Sequence, residues 1–342
     1  MATDPPPIGH PEGPEAKVTM REVAIRAGVG LGSVSRVLSG HPAVSESLRQ
    51  KVLQAVAELD YEPDFTAMSL RRGSTMTVAF LVRDIANPLF SDMVKAAEAI
   101  LHPVGYSVLL LNSDGDPARD AAHIRLFARR RVDGLIASLA TEVHAESLAA
   151  LRAFKAPVVL VDRHVPEIEA SVVSSDHYSG VRAAVKHLAG RGHRRIGLIT
   201  GPREVLASRE RTRGYKAGLR SAGIHYDAGL LQTGAYDADF GTDKTTRLLE
   251  TDDPPTGIIA GGLMVGYGSL RAIRALGLSV PDQVELVPCD SWPFPELFAP
   301  SLSFVHRDAS LMGRTAAELL LESIQDGTNR EVMLPTEFVT AD

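Results

Sequence analysis

Residues 19–38 read TMREVAIRAGVGLGSVSRVL, a stretch with the form of helix, glycine turn, helix. Thr19 and Glu22 stand in T-x-x-E spacing, which lets each side chain satisfy a backbone N–H left open at a helix start. Met20, Val23, Ala24 and Ala27 follow at i, i+3, i+4 and i+7, so one apolar stripe runs down the first helix. Gly28 ends it, because glycine tolerates the left-handed conformation that a tight exit needs. The second helix is expected to begin near Gly30, to bury Val34, Val37 and Leu38, and to expose Ser33, Ser35 and Arg36. A small helix pair whose second member displays hydroxyls and a guanidinium has the form of a DNA-reading helix-turn-helix. Taken alone, a scaffold αα-hairpin has the same pattern. Gly28, Gly30 and Gly32 also imitate a glycine-rich nucleotide loop, but that loop follows a strand and these glycines follow a capped helix.

The remaining length allows much more than a helix pair. The chain has 342 residues, enough for two or three compact units, and its 23% charged and 44% hydrophobic residues are those of a globular protein. One cysteine, Cys289, excludes an internal disulfide and a cysteine-based zinc site. No apolar run is long enough to cross a bilayer. Residues 1–16 are proline-rich and lack the basic segment and apolar core of a secretory signal, so a disordered leader and a cytoplasmic location are expected. The net charge of −6 is uneven. Residues 17–72 carry eight basic and six acidic side chains, an excess of +2 that leaves −8 elsewhere. That asymmetry suits a mildly basic DNA-contacting head on an acidic body.

Ser45 can cap a third helix with Leu48, Val52, Ala55 and Leu59 at helical spacing, ending before Tyr61. The segment DFTAMSLRRGS follows, with Asp64 placed to cap it and Gly73 to stop it. It is too short to be a stable isolated helix and should order against a partner. From Thr77 the pattern changes. Strand-like runs (TVAFLV, YSVLLL, VDGLIA, PVVLV, RIGLIT, TGIIA, VELV) alternate with amphipathic stretches such as SDMVKAAEAIL and GVRAAVKHLAGRG. Such alternation predicts parallel sheets covered by helices on both faces. It divides into two comparable halves near residue 175, with a ligand cleft expected at the strand C-terminal ends.

The order and spacing of these motifs resemble the LacI/GalR family of transcription regulators from about Val18 to the C-terminus. The head carries VTMREVAIRAGVGLGSVSRVL and VSESLRQKVLQAVAELDYEPD; the body carries NPLF, VDGLIAS, PVVLVDR, HLAGRGHRRIGLITGP, RTRGYKAGL and AAELLLESI. The resemblance implies an α/β protein with an N-terminal three-helix helix-turn-helix domain (17–63) and a hinge helix (64–75). A two-subdomain periplasmic-binding-protein-like core (76–342) follows, divided into 76–174 plus 304–342 and 175–303. It implies a homodimer on a pseudo-palindromic double-stranded DNA operator, and a repressor by analogy with most members. Control would come from a small molecule in the cleft, a sugar or sugar derivative, with a nucleoside as the alternative. No cofactor, metal or membrane is expected.

The resemblance also implies site residues. Its DNA-facing set is Thr19, Gly30, Leu31, Gly32, Ser33, Ser35, Arg36, Leu70 and Arg71. Arg36 is the strongest candidate base reader, since a guanidinium pairs bidentately with guanine O6 and N7; a phosphate contact is its plain alternative. Leu70 stands where the family wedges the minor groove, or else packs on the body. Arg71 and Arg72 would neutralise phosphates, while Asp64 and Met68 replace a usual asparagine and a common arginine and remove favourable groups there. The effector set is Asn87, Phe90, Ser138, Asp162, Arg211, Gly262, Asp290 and Trp292, with Arg163 beside Asp162. Phe90 has a core alternative, Asp162 with Arg163 a surface-pair alternative, and Trp292 could pack on Pro293 and Pro295. Two departures stand out. Gly261-Gly262-Leu263 replaces a usual Asn-Asp pair, and Arg307 replaces a proline of the family pattern. No leucine heptad follows EFVTAD, so no tetramerising helix is expected.

Two other function classes compete. An enzyme is disfavoured, because no nucleophile elbow, H-E-x-x-H, P-loop or paired-carboxylate motif is present, and His193 reads as a structural residue at a turn. A transport-type sugar-binding protein is disfavoured by the capped helix-turn-helix and by the lack of a signal.

Overall fold

The computed structural model describes residues 18–38, 43–61, 73–290 and 302–341. The expected leader (1–16), most of the hinge including Asp64, Met68, Leu70, Arg71 and Arg72, and Trp292 lie outside them. The chain forms two compact units, 1–73 and 74–342.

In the head, α1 (Met20–Ala27), α2 (Leu31–Leu38) and α3 (Glu46–Glu58) surround one small core. The capping box forms: Thr19 N donates to Glu22 Oε2 at 2.6 Å and Glu22 N donates to Thr19 Oγ1 at 3.4 Å. Gly28 closes α1 in the left-handed region, at φ 65°. Ser45 caps α3. Val23, Val34 and Val52 are fully buried and Ala24, Val37, Ala55 and Tyr61 nearly so, with Met20, Ala27, Leu38, Leu48 and Leu59 packed around them. The expected full exposure of Ser33 and Ser35 is corrected, since both are half-buried. Ser33 lies one turn before Val37, and Ser35 one turn before Leu38, so both flank the apolar stripe.

The second unit holds two parallel sheets. The first runs β11-β5-β4-β3-β1-β2 and the second β7-β6-β8-β9, every pairing within them parallel. Strands of the first are β1 (Thr77–Val82), β2 (Ser107–Asn112), β3 (Gly134–Ala137), β4 (Val158–Val161), β5 (Ser171–Ser175) and β11 (Glu331–Leu334). Those of the second are β6 (Ile196–Thr200), β7 (Leu231–Thr233), β8 (Gly257–Gly261) and β9 (Glu285–Pro288). Alternate side chains of β1 serve opposite faces. Val78, Phe80 and Val82 pack with α4 (Pro88–Leu101) and α11 (Ala309–Asp326). Ala79 and Leu81 pack with α5 (Pro117–Arg130) and α6 (Ala145–Ala153). The second sheet is covered likewise by α7 (His177–Gly190) and α8 (Leu206–Ser221) on one face, and by α9 (Ala238–Leu249) and α10 (Leu263–Ala275) on the other.

Hydrophobic runs do not mark β5, whose sequence is SVVSS, nor the short β7, although β5 is largely buried. An antiparallel ribbon of β10 (Phe304–His306) with β12 (Glu337–Val339) is a further difference from a purely parallel body. Val305 and Phe338 of this ribbon pack with Val181, Val185 and Leu188 of α7. Residues 304–342 are therefore divided. The helix α11 and strand β11 complete the first half, whereas β10 and β12 lie on the second. The chain thus passes between halves after β5, after β10 and after β11.

Candidate functional site

On the head, Leu31, Gly32 and Arg36 of the second helix are exposed, as are Gly30 just before it and Thr19. Leu31 is 47% exposed, and a Cβ added to Gly30 or Gly32 would meet nothing within 4 Å. Arg36 Nε donates back to Gly32 O at 3.3 Å. The helix therefore presents a smooth surface of two glycines and a leucine, with one guanidinium above it.

In the body, a cleft opens at the C-terminal ends of the strands, where parallel sheets place their ligand sites. Its walls include Asn87, Phe90, Ser138, Asp162, Arg211, Gly262 and Asp290. All seven described effector candidates thus line one cavity, drawn from both halves of the body. Asn87 caps α4 through Leu89 N at 3.1 Å. Phe90 is both core and lining, at 6% exposed. The surface-pair alternative for Asp162 and Arg163 is corrected, because both are buried. Arg163 instead donates to the carbonyls of Leu139 and Asp162 at 2.6 and 2.8 Å.

Three polar lining residues escape the candidate set: Arg83, Tyr236 and Arg307. Arg307 had drawn notice only as a departure from the family pattern. It stands on the crossing after β10 and is 6% exposed. Its Nη1 pairs with Asp162 Oδ2 of the first half, and its Nε with Asp290 Oδ1 of the second. Asp162 also accepts from Ser175 N and His177 Nε2, each at 3.0 Å. Asp290 accepts from Leu263 N at 3.1 Å and so caps α10, whose own N-cap residue is a glycine. Both aspartates adopt left-handed backbone, φ 51° and 83°, a conformation non-glycine residues hold only where surroundings compel it. Burial works to raise both carboxyls. His177 and Arg307 outweigh it at Asp162, and Arg307 and Arg211 outweigh it at Asp290, so both are held below the ordinary carboxylate range. Each oxygen of these two carboxylates thus accepts at least one protein donor, and Arg307 is held between them across the floor of the cleft.

Tyr236 fills space that glycine leaves open. A Cβ on Gly201 would fall 2.0 Å from its ring and one on Gly262 would fall 3.3 Å away. Where the family pattern has polar Asn-Asp, this cleft therefore has an aromatic ring lying against glycine backbone. The Tyr236 hydroxyl is 2.5 Å from Ser208 Oγ and accepts from Arg211 Nη1 at 3.2 Å, and Arg83 stacks over the ring at 5.1 Å. A second link joins the halves at the rim. Glu142, beyond β3, accepts from Leu206 N at 2.7 Å and from Arg209 Nη1 at 2.8 Å. It supplies the N-terminal cap that α8 lacks from its own N-cap residue. His193 bonds Thr256 and Glu285 at the base of the second sheet, outside the cleft lining.

The floor network implies a pH dependence. Burial pushes His177 down to about 4 from 6.5, despite Asp162 beside it, and Arg211 and Arg307 add to the depression. Between pH 6.5 and 4 the unfolded chain takes up this proton and the folded chain does not. Stability therefore falls by about 3 kcal/mol as pH drops through that window. Asp162 and Asp290, both lowered, add a further loss below pH 3.8. Denaturant titrations from pH 7 to 4 are expected to show the loss in the native chain and a flatter profile in His177→Gln. Equal slopes in the two proteins would contradict it.

Comparison with known proteins agrees with this architecture. Residues 19–64 match the family described as bacterial regulatory proteins, lacI family, and residues 185–340 match the periplasmic binding protein-like domain. The ribose operon repressor of Escherichia coli (strain K12) is 30% identical over 317 residues, covering 92% of this chain and 96% of that protein. The lac repressor dimer bound to operator and the anti-inducer ONPF is 26% identical at a TM-score of 0.82, covering 95% of this chain and 98% of that one. The cellobiose complex of the transcriptional regulator CelR is 31% identical at a TM-score of 0.71, covering 95% and 99%. A capped helix-turn-helix, two parallel sheets around a cleft, and kinship along nearly the whole length place this chain in the LacI family, as a DNA-binding regulator of transcription and not an enzyme.

Proposed function

We propose that this protein represses transcription as a homodimer on a pseudo-palindromic operator and that a sugar or sugar derivative in the cleft governs its hold on DNA. The observation that carries the reading is the cleft itself, whose walls gather polar and aromatic side chains from both halves while Arg307 joins the halves beneath. A ligand that changes the closure of the two halves acts on segments that cross between them. The coupling is reciprocal: an effector that loosens DNA binding must itself bind less tightly on DNA. The ribose operon and lac repressors support the repressor role, and the cellobiose complex of CelR supports the sugar class. In this reading residues 17–63 form the head, 64–75 the hinge with Leu70 for the minor groove and Arg71 for nearby phosphates, and 76–342 the regulated core.

Within the head, Arg36 is the principal base-edge donor, because Leu31 and Gly32 offer bases only shape and methyl contact. Ser33 and Ser35, half-buried beside the core, serve phosphates or packing more than base edges. Gel shifts of the full chain on duplexes selected from a random pool test this. Arg36→Ala is expected to lose about ten- to a hundredfold in specific affinity, and native binding to weaken steeply with salt. Unchanged binding by Arg36→Ala would sink the recognition-helix assignment.

A further inference from the structure

The cleft is lined by four arginines, Arg83, Arg163, Arg211 and Arg307, against two aspartates. Both aspartates are engaged by Arg307, and among the described residues no carboxylate lies within ion-pair distance of the other three arginines. Their partners are neutral oxygens. Arg83 donates to Tyr236 O at 3.1 Å, Arg163 to the two carbonyls already named, and Arg211 to Gly261 O at 2.7 Å. Arg211 is 2% exposed, and its buried Nε has no acceptor in the described structure. A surplus of two positive charges thus faces a cavity. Desolvated charge without a counter-ion in contact is costly, and an anion in the cavity would relieve that cost.

We propose that the effector of this cleft is an oxyanion-bearing sugar derivative, a sugar phosphate or a sugar acid, whose anionic group is clasped by Arg83, Arg163 and Arg211. This deepens the reading of the cleft as the effector site and rests on it. Arg83 and Arg163 come from the first half and Arg211 from the second, so an anion between them draws the two walls together. Guanidiniums suit the task because their forked donors match carboxylate and phosphate oxygens. Burial lowers the Arg83 pKa and Arg163 lowers it further by repulsion, while Asp84 and Asp237 act on it from beyond ion-pair distance. An incoming anion relieves that repulsion. The carboxylates, each paired with Arg307, repel it less than unpaired carboxylates would. Asn87, Ser138 and the Tyr236 ring remain for the sugar.

Calorimetric titration of the full chain at low salt tests the proposal with inorganic phosphate, with pentoses and hexoses, and with their phosphates and aldonic acids. Anionic sugars are expected to bind about tenfold or more tighter than their neutral parents. That advantage should disappear in Arg83→Met, a half-buried residue whose loss leaves the floor network intact, and shrink in Arg163→Met. Circular dichroism and the unfolding midpoint of the free variants establish that they are folded, and competition by sulfate on the unmodified protein gives an independent readout. A phosphate ligand gains affinity from pH 5.5 to 7.5 as its second proton leaves near pH ~6; a carboxylate ligand does not, which distinguishes the two sources. Neutral sugars binding as tightly as charged ones, with Arg83→Met indifferent, overturns the anion clasp and leaves a sugar-controlled regulator. If no sugar, charged or neutral, binds while DNA is still held, the clasp and the effector reading of the cleft both fall.

Discussion

Arg307→Met is expected to destabilise the body by about 3–5 kcal/mol, the usual result of removing one partner from a buried ion pair. The loss is large because two carboxylates are stranded at once. Asp162 keeps Ser175 N and His177, and Asp290 keeps Leu263 N, but neither retains a cation in direct contact. Methionine fills most of the volume, so the effect is one of charge and not of a void. Chemical denaturation of the full chain, followed by a probe of the body, measures it. Adding Asp162→Asn and Asp290→Asn to Arg307→Met should recover much of the loss, since the triple variant strands no carboxylate at the floor of the cleft. A single variant within 1 kcal/mol of the native protein would show that the bridge is not what holds the floor together. The variant also separates two roles of the network. If Arg307 tethers the halves, ligand binding should become weaker and operator binding less responsive to ligand even under conditions where the protein is fully folded.

The second large effect is expected at a helix crossing. In α10, Gly268 faces α9 so closely that an added Cβ would fall 1.9 Å from Ala238 O and 2.7 Å from Thr242 N. Thr242 Oγ1 spans the same contact, bonding both Ala238 O and Gly268 O at 2.9 and 3.1 Å. The obstructing atoms are backbone, so no rotamer change relieves them. Alanine improves helix propensity by about 1 kcal/mol, but separating the helices costs about 3 kcal/mol or more, and destabilisation wins. The two helices begin beside the cleft, α9 just after Tyr236 and α10 at the Asp290 cap. Gly268→Ala should therefore also weaken effector binding. Gly190→Ala is the control: that helical glycine has nothing within 4 Å of its added Cβ and should stay near native stability. Equal midpoints for both variants would show that α9 and α10 separate at little cost.

Much of the fold is legible in the chain because its determinants are local. A cap and its helix lie within four residues, as at Thr19 with Glu22 and Ser45 with Leu48. Strands buried on both faces announce themselves as apolar runs, as in TVAFLV. The polar β5 does not, because its place is set by β4 and β11 on either side. The candidate site divides the same way. Asn87, Ser138, Asp162, Gly262 and Asp290 follow strands or open helices, so motif position finds them. Arg83 also follows a strand, but nothing local indicates that it stacks on Tyr236, more than a hundred residues away. Trp292 and the hinge contacts fall outside the described residues.

The amino-acid sequence by itself determined the capped helix pair and the type of each strand and helix, since these are written in spacings shorter than one element, and the order of those motifs along the chain spells the family. Only the tertiary structure decided that Arg307 occupies both aspartates and that three further arginines face the cavity without carboxylate partners among the described residues. The physical reason is distance along the chain. Arg307 meets Asp162 across 145 positions, and charge compensation is settled by which groups burial brings together, not by which residues stand near one another in sequence.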